Sequence, residues 1–439
     1  MTAVRPFHAL RYDLKRVELS KVIVPPYDVV ADDERSAFFD RDPHNAIRFE
    51  LARDAKEDAG ADYAHLSELL DQWRQEGVLI RDEGPAYYVM KQRFRTEEGS
   101  LLERVGFYAE LGLAEYSEKQ VMPHERTLAG PKADRLKLLQ AAQANLSSVF
   151  LLYEDPGDTL SEHLLSAFGP NGEFLGSATD DGGVEYELAR LSDPASLAAI
   201  EAFLAERSCV IADGHHRYET ALEYRRLRRL EGETVEGEAP FDSTLAYFAN
   251  AYAPGSLLLP IHRVVRHKEV PTTDQWAAEL PGWVRNEVEV EGDASEVAAK
   301  AMELLASHEG KAAFVADAAD GRLQVFTKNA PLGDSLLVRL VEEEILGGVF
   351  KLSIEDIRGG EVHFPKSAER AALDVRQGRG QVALYLNPLR PEDVFRVTRE
   401  GEVMPQKSTF FFPMSPWTKF WKSVFLPSTR SESNSVILT

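Results

Sequence analysis

The residues best suited to chemistry fall in one run, Val210-Ile211-Ala212-Asp213-Gly214-His215-His216-Arg217. An apolar strand that feeds a glycine turn and then a helix leaves the first N–H groups of that helix without internal partners, and the helix dipole adds partial positive charge there. Such a terminus favours an anion, phosphate in particular. Gly214 permits the turn and a close backbone approach. Arg217 offers a planar fork suited to phosphate. His215 and His216 donate hydrogen bonds or exchange a proton near neutral pH. The structural alternative makes Asp213 a helix N-cap and the histidines mere partners of their neighbours. A metal shared by His215 and His216 is disfavoured, because adjacent residues point apart and paired helix ligands usually stand at i and i+4.

A second constellation is Pro123-His124-Glu125-Arg126-Thr127, followed by Lys132, Asp134 and Arg135. Phosphoryl transfer needs cations on the phosphate oxygens and a carboxylate as base or Mg²⁺ ligand. Salt-bridged surface charges are the alternative. Three further segments carry polar groups of interest. Pro25-Pro26-Tyr27-Asp28 is a rigid turn ending in a carboxylate, with Asn45 and Arg48 beyond it. Leu259-Pro260-Ile261-His262-Arg263 ends an apolar run in a His-Arg pair, and Lys407-Ser408-Thr409 precedes three phenylalanines. An ordinary turn, an edge-strand charge pair and a core segment are their respective alternatives.

The elements that must position these groups alternate between strand and helix. Short β-like patterns are expected at 22–24, 86–95, 101–113, 149–153 and 208–212, with a hairpin loop at Thr96–Ser100. Helical spacing runs from Tyr63 to a C-cap at Gly77, enters after residue 123 and ends by 145, and recurs at 218–230. The stretch 155–180 reads as surface loop with one short helix. Beyond it, strands are expected at 245–251, 257–265, within 283–290, at 312–316, 323–327 and 382–385, with helices at 294–307, 335–346 and 367–377. This mixture predicts an α/β or α+β fold.

The chain of 439 residues is long enough for two or three domains. Its formal net charge of −22 disfavours duplex nucleic acid as a partner. The basic run Arg225–Arg229 is followed by Glu231 and Glu233, as on a solvated helix face. A single cysteine, Cys209, and no apolar run of membrane-spanning length point to a cytoplasmic protein without a transmembrane segment. No secretory signal pattern is visible at the N-terminus. Homo-oligomerisation is left open.

The blocks PPYDVV at 25–30, PHERT at 123–127 with Asp134-Arg135, IADGHHRYETAL at 211–222, LPIHR at 259–263 and MPQKSTFFFP at 404–413 occur in the order found in the bacterial and archaeal family DUF1015, which the chain resembles over residues 5 to 413. That label carries no function. The Asp-Gly-His-His-Arg block also resembles the phosphate-holding turn of the ParB/sulfiredoxin-like fold, and free-serine kinases of that fold carry a similar stretch. The likeness implies that Asp213, His216 and Arg217 lie at the transferred phosphate. It further implies ATP or ADP and Mg²⁺ as cofactors, with serine or phosphoserine as the small ligand. It predicts a ParB/sulfiredoxin-like core with large insertions in residues 1–255, a C-terminal α/β domain in 256–413 and an atypical tail in 414–439. Within that tail, Trp417, Phe420, Trp421 and Phe425 with Lys419 and Lys422 suit either packing or a membrane surface. Residues 428–439 are expected to be disordered.

The expected activity is therefore phosphoryl transfer on a small hydroxylated metabolite, kinase-like or phosphatase-like. Gly214, Arg217, His124, Arg126, Thr127, Lys132, Arg135, His262, Arg263 and Lys407 would bind phosphate. Glu125, Asp213, His215 and His216 would act in catalysis, Glu125 or Asp28 would hold Mg²⁺, and Tyr27, Asp28 and Asn45 would line the pocket. The alternative is a nucleotide-binding regulatory protein without turnover.

Overall fold

The computed structural model describes residues 2–24, 30, 32–51, 53, 63, 65–96, 99–125, 130–170, 172–180, 182–232, 239–331, 336–405 and 407–413. The chain is a mixed α/β protein that divides into two compact units, Met1–Leu257 with Pro413–Thr439, and Leu258–Phe412.

The first unit is built on a nine-stranded sheet. Its strands are β1 (Val4–Arg5), β2 (Tyr87–Arg95), β3 (Leu101–Gly112), β4 (Val121–Pro123), β5 (Val149–Tyr153), β6 (Glu173–Thr179), β7 (Glu185–Leu191), β8 (Cys209–Asp213) and β9 (Ser243–Asn250). The spatial order is β4-β8-β5-β9-β3-β2-β7-β6, with β1 also pairing with β3. The expected hairpin at 96–100 joins antiparallel β2 and β3. Two pairs are parallel, β4 with β8 and β5 with β9. Alternation along the strands sends Val89, Phe107, Leu151, Ile211 and Phe248 to one face. That face is covered by α3 (Pro194–Ala205) through Ile200 and Leu204, and by α4 (His215–Leu230) through Tyr218. Ahead of them in the chain, α1 (His65–Gln75) ends near Gly77, whose φ of +69° suits a C-cap, and α2 (Gly130–Ala142) packs against α4.

The second unit holds a six-stranded antiparallel sheet of β10 (Arg263–Val265), β11 (Trp283–Glu289), β12 (Lys311–Asp317), β13 (Arg322–Pro331), β14 (Val362–His363) and β15 (Val382–Leu386), in the order β11-β13-β12-β15-β10-β14. Helix α5 (Ala294–Ala306) leads from β11 to β12 across β13, and α6 (Ala368–Arg376) precedes β15. Ala298, Ala301, Ala371 and Ala372 let these helices approach a face made by Val315, Val325, Ala383 and Tyr385. A last helix, α7 (Pro391–Arg399), carries Pro391 in its first turn.

Several local expectations are corrected. Val22 ends a short helix, Leu19–Val22, rather than opening a strand. Residues 173–179 form strand β6 instead of surface loop; its side chains alternate only weakly because the strand lies at a sheet edge. The apolar run 257–265 is two short strands, Leu257–Leu259 and Arg263–Val265, broken at Pro260. The helix expected at 335–346 is described as Leu337–Leu340 running on into a π-helix, Val341–Val349. Helix α3 has no counterpart among the expected elements, although Asp193 caps it and Pro194 opens it. Residues 414–439 lie outside the described residues, as do Pro25, Pro26, Tyr27, Asp28, Arg126 and Thr127 and the side chain of Lys132.

Candidate functional site

Residues 209–212 are apolar and buried and form an interior strand that ends at Asp213, and Gly214 then turns the chain at φ +91° into α4. Between Ile211 and Asp213 the pairing of β8 with β5 shifts register. A bulge of this kind re-aims the following side chain and leaves Asp213 partly exposed at the strand end. Gly214 itself occupies the N-cap, and no side chain caps the helix. Asp213 is therefore not the cap. Its Oδ2 accepts from Nη2 of Arg217, four residues on, while Nη1 of Arg217 donates to the Ser148 carbonyl on the neighbouring β5 side. Arg217 is thus aimed by two acceptors and retains Nε–H and a further N–H on each terminal nitrogen. A Cβ at Gly214 would come within 2.9 Å of Arg217 Nε, so the glycine also makes room for that guanidinium.

The parallel register of β4 and β8, with Val210 opposite Met122 and Ile211 opposite Pro123, delivers His124 and Glu125 to the same end of the sheet as Asp213–His215. His124 is buried, and its Nδ1 donates to the Ile211 carbonyl. Its backbone N–H donates to Nε2 of His215 at 3.4 Å, and the two rings meet edge to face with centroids 4.7 Å apart. Nε2 of His124 stands 3.8 Å from Glu125 Oε1. An accepting Nε2 fixes the neutral tautomer of His215 with hydrogen on Nδ1. Burial, followed by the nearby His124, His216 and Arg217, drives its pKa well below the usual histidine value. His215 is thus a neutral, buried link between the two motifs. His216, on the next position of the helix, is only partly buried.

Arg135 of α2 is buried and paired on both sides. Its Nη1 lies 3.2 Å from Glu50 Oε2 and its Nη2 lies 2.7 Å from Asp134 Oδ2, while Asp134 also accepts from the Tyr63 hydroxyl at 2.9 Å. A small cavity of about 50 Å³ between α2 and α4 is lined by both Arg135 and Arg217.

The other expected site residues have partners of their own. Asn45 is fully buried and caps the turn 46–49, accepting from Ile47 N–H at 3.0 Å and donating to the Lys21 carbonyl at 2.7 Å. Arg48 donates to the carbonyls of Asp42 and Phe39. His262, Arg263 and Lys407 belong to the second unit. Burial pushes His262 down to about 3, and its Nδ1 accepts from Leu386 N–H at 3.3 Å. Arg263 donates to the Ile261 and Lys407 carbonyls. The basic run on α4 is spent on ion pairs: Arg225 with Glu115, Arg226 with Glu223 and Arg229 with Asp242.

No cluster of three or more His, Cys, Asp or Glu groups suited to a metal occurs among the described residues. Mg²⁺ ordinarily takes one or two carboxylates and completes its shell with water and phosphate oxygens. Glu125, after β4, and Asp213, at the end of the parallel neighbour β8, carry oxygen donors of the kind Mg²⁺ takes, Asp213 being paired to Arg217. Likewise, no helix among the described residues is long and apolar enough to cross a membrane.

A family model described as "Protein of unknown function (DUF1015)" matches residues 4–338. No curated protein matches the chain. Among solved structures, it is similar to a mutant free serine kinase in complex with ADP, at 13% identity over 69% of this chain and 87% of that one, with a TM-score of 0.33. Free serine kinase in complex with AMP matches at 14% identity over 69% and 86% of the two chains, with the same TM-score of 0.33. SbnI from Staphylococcus aureus, truncated at its C-terminus, matches at 11% identity over 73% and 90%, again with a TM-score of 0.33.

Proposed function

The chain belongs to the DUF1015 family, whose description names no activity, and from its site we propose that it is a nucleotide-dependent phosphoryl-transfer enzyme acting on a small hydroxylated metabolite, serine or phosphoserine being the first to test. The observation that carries this reading is the parallel register of β4 with β8, which sets the His124-Glu125 segment beside the Asp213–Arg217 turn. An anion-binding helix start and a carboxylate from another segment are the minimum a phosphoryl-transfer site needs.

In this reading the N–H groups of the first turn of α4 and the free donors of Arg217 hold the phosphate. Asp213 and the Ser148 carbonyl fix the plane of the guanidinium before ligand arrives. Glu125 takes the proton of the acceptor hydroxyl as its oxygen bonds to phosphorus and the bond to the departing nucleotide oxygen breaks. His215 is a positioning residue, since it is neutral, buried and bonded to His124. His216 faces outward enough to exchange a proton or stabilise charge. Mg²⁺, when bound through Glu125, Asp213 or Asp28, would add positive charge at the phosphate oxygens.

The test uses the full chain. ADP and AMP are titrated calorimetrically with and without Mg²⁺, and turnover is followed with serine as acceptor. Arg217→Ala is expected to weaken nucleotide binding at least tenfold, the loss of a charged hydrogen-bonding group. Glu125→Gln is expected to keep nucleotide affinity and lose a hundredfold or more in turnover. Unchanged affinity in Arg217→Ala removes the phosphate assignment. Binding without turnover under any acceptor leaves a nucleotide sensor instead of an enzyme.

A further inference from the structure

The outermost strand of a sheet can pair with another chain, and proteins guard against this by shortening, bulging or charging that strand. The outermost strands of the two large sheets differ in this respect. Strand β4 is three residues long and ends in Pro123, β14 is two residues long, and β6 is interrupted by a register shift between Phe174 and Gly176. Strand β11 is neither short nor bulged. Its seven residues, Trp283–Glu289, pair with β13 in unbroken register, and no described strand lies on its other side. The Val290 N–H donates to the Gly321 carbonyl at 3.0 Å, so the backbone of Val290 faces β13. Alternation then turns the backbone of Val284, Asn286 and Val288 toward β13, and that of Arg285, Glu287 and Glu289 toward the open edge. Val284 is 43% exposed, and Asn286, Glu287 and Glu289 are exposed with it.

We propose that β11 is a dimerisation edge whose partner is the same strand of a second copy, paired antiparallel about a two-fold axis through Asn286. Charge selects this register. Arg285 stands opposite Glu287 of the second copy, and Glu287 opposite its Arg285, as hydrogen-bonded backbone pairs. Within one chain Arg285 Nη1 already lies 3.2 Å from Glu287 Oε1, so the pairing closes a ring of four charges that alternate in sign. On the other face Val284 meets Val288, which already packs against the core of its own unit, and the two Asn286 amides meet on the axis, each with donors and an acceptor. A slip of two residues in either direction sets Arg285 against Arg285 or Glu287 against Glu287, and like charges directly opposite are unfavourable. The charges that would blunt a single edge thus match when two copies meet. Such an interface uses the same patch on both chains and closes at the dimer. The proposal is independent of the phosphate-binding reading, since β11 belongs to the second unit.

Sedimentation equilibrium of the full chain, from about 1 to about 200 μM, measures the association, because a small interface of one strand pair is expected to dissociate in the micromolar range. Wild type is expected to dimerise. Glu287→Arg sets arginine against arginine on both sides of the axis and is expected to weaken the dimer about tenfold. Arg285→Glu combined with Glu287→Arg exchanges the two charges, restores the alternation and is expected to return the dissociation constant close to that of wild type. Circular-dichroism melts check that both variants are folded. Wild type that is monomeric at the highest concentration overturns the proposal. A Glu287→Arg variant that dimerises as tightly as wild type overturns it too, since the contact then lies elsewhere. A folded double variant that stays as weak as Glu287→Arg overturns the register through Asn286.

Discussion

Gly214 shows how narrowly the turn is specified at the level of a single residue. Its φ of +91° is unfavourable for any side chain, and the space where a Cβ would stand is taken by the Arg217 guanidinium. Gly214→Ala is expected to cost about 1–2 kcal/mol from the backbone alone. It should also push Arg217 off Asp213, lowering the melting temperature and weakening phosphate affinity together. A melt paired with a phosphate titration checks both, and a variant that melts like wild type removes the strain argument. Much of this residue-scale picture was legible beforehand, since strand, glycine and helix start follow directly from residue type in 209–217. The link from His124 to His215 was not, because a partner 91 positions away leaves no sign in local spacing.

Among the elements, α4 matters most because the proposed site lies at its N-terminus. Tyr218 is fully buried one turn in, and its hydroxyl donates to the Ala114 carbonyl at 2.8 Å while accepting from the Ala114 N–H at 3.0 Å. This pair of hydrogen bonds to backbone anchors the helix start to the segment leaving β3. Tyr218→Phe strands both backbone groups and is expected to cost about 1–3 kcal/mol. In a unit of this size that lowers Tm by roughly 2–4 °C per kcal/mol, readable by thermal or urea unfolding. A Tm unchanged within one degree would contradict the anchor. Strand β4 is the element whose part was hidden. Three residues long and at the sheet edge, it shows no period of its own, and nothing in a period-two pattern names the strand it will pair with. The two motifs could be found separately, but their meeting depends on that pairing.

At the scale of the whole molecule, each unit carries its own core, and the mixture of strands and helices in the sequence was enough to give the fold class. The order of strands within each sheet was not, because short-range patterns do not encode which neighbours a strand will have. In the second unit, His262 is neutral and buried, with a pKa pushed down to about 3 from an ordinary value of 6.5. Between those two values the unfolded chain binds a proton that the folded unit refuses, so stability rises with pH across that window and is lost as pH falls through it. His262 is expected to contribute up to about 1.4 kcal/mol per pH unit to the acid limb of unfolding. His262→Gln should flatten that limb. Chemical denaturation at pH 4, 5 and 7 measures it, and parallel pH dependences for the two proteins would exclude His262 as the source.

The bond from His124 to the Ile211 carbonyl spans 87 positions in the chain, and this separation has a kinetic meaning. Helix α4 is a local structure that forms in a microsecond or less, but β4 must close a long loop before it can lie against β8. The first turn of α4 can therefore form before Glu125 is brought to the same end of the sheet. During synthesis the order reverses in space but not in outcome: β4 emerges first and waits unpaired until β8 is made. The pairing of β4 with β8, on which the meeting of the two motifs depends, is thus a long-range step in the closing of the sheet.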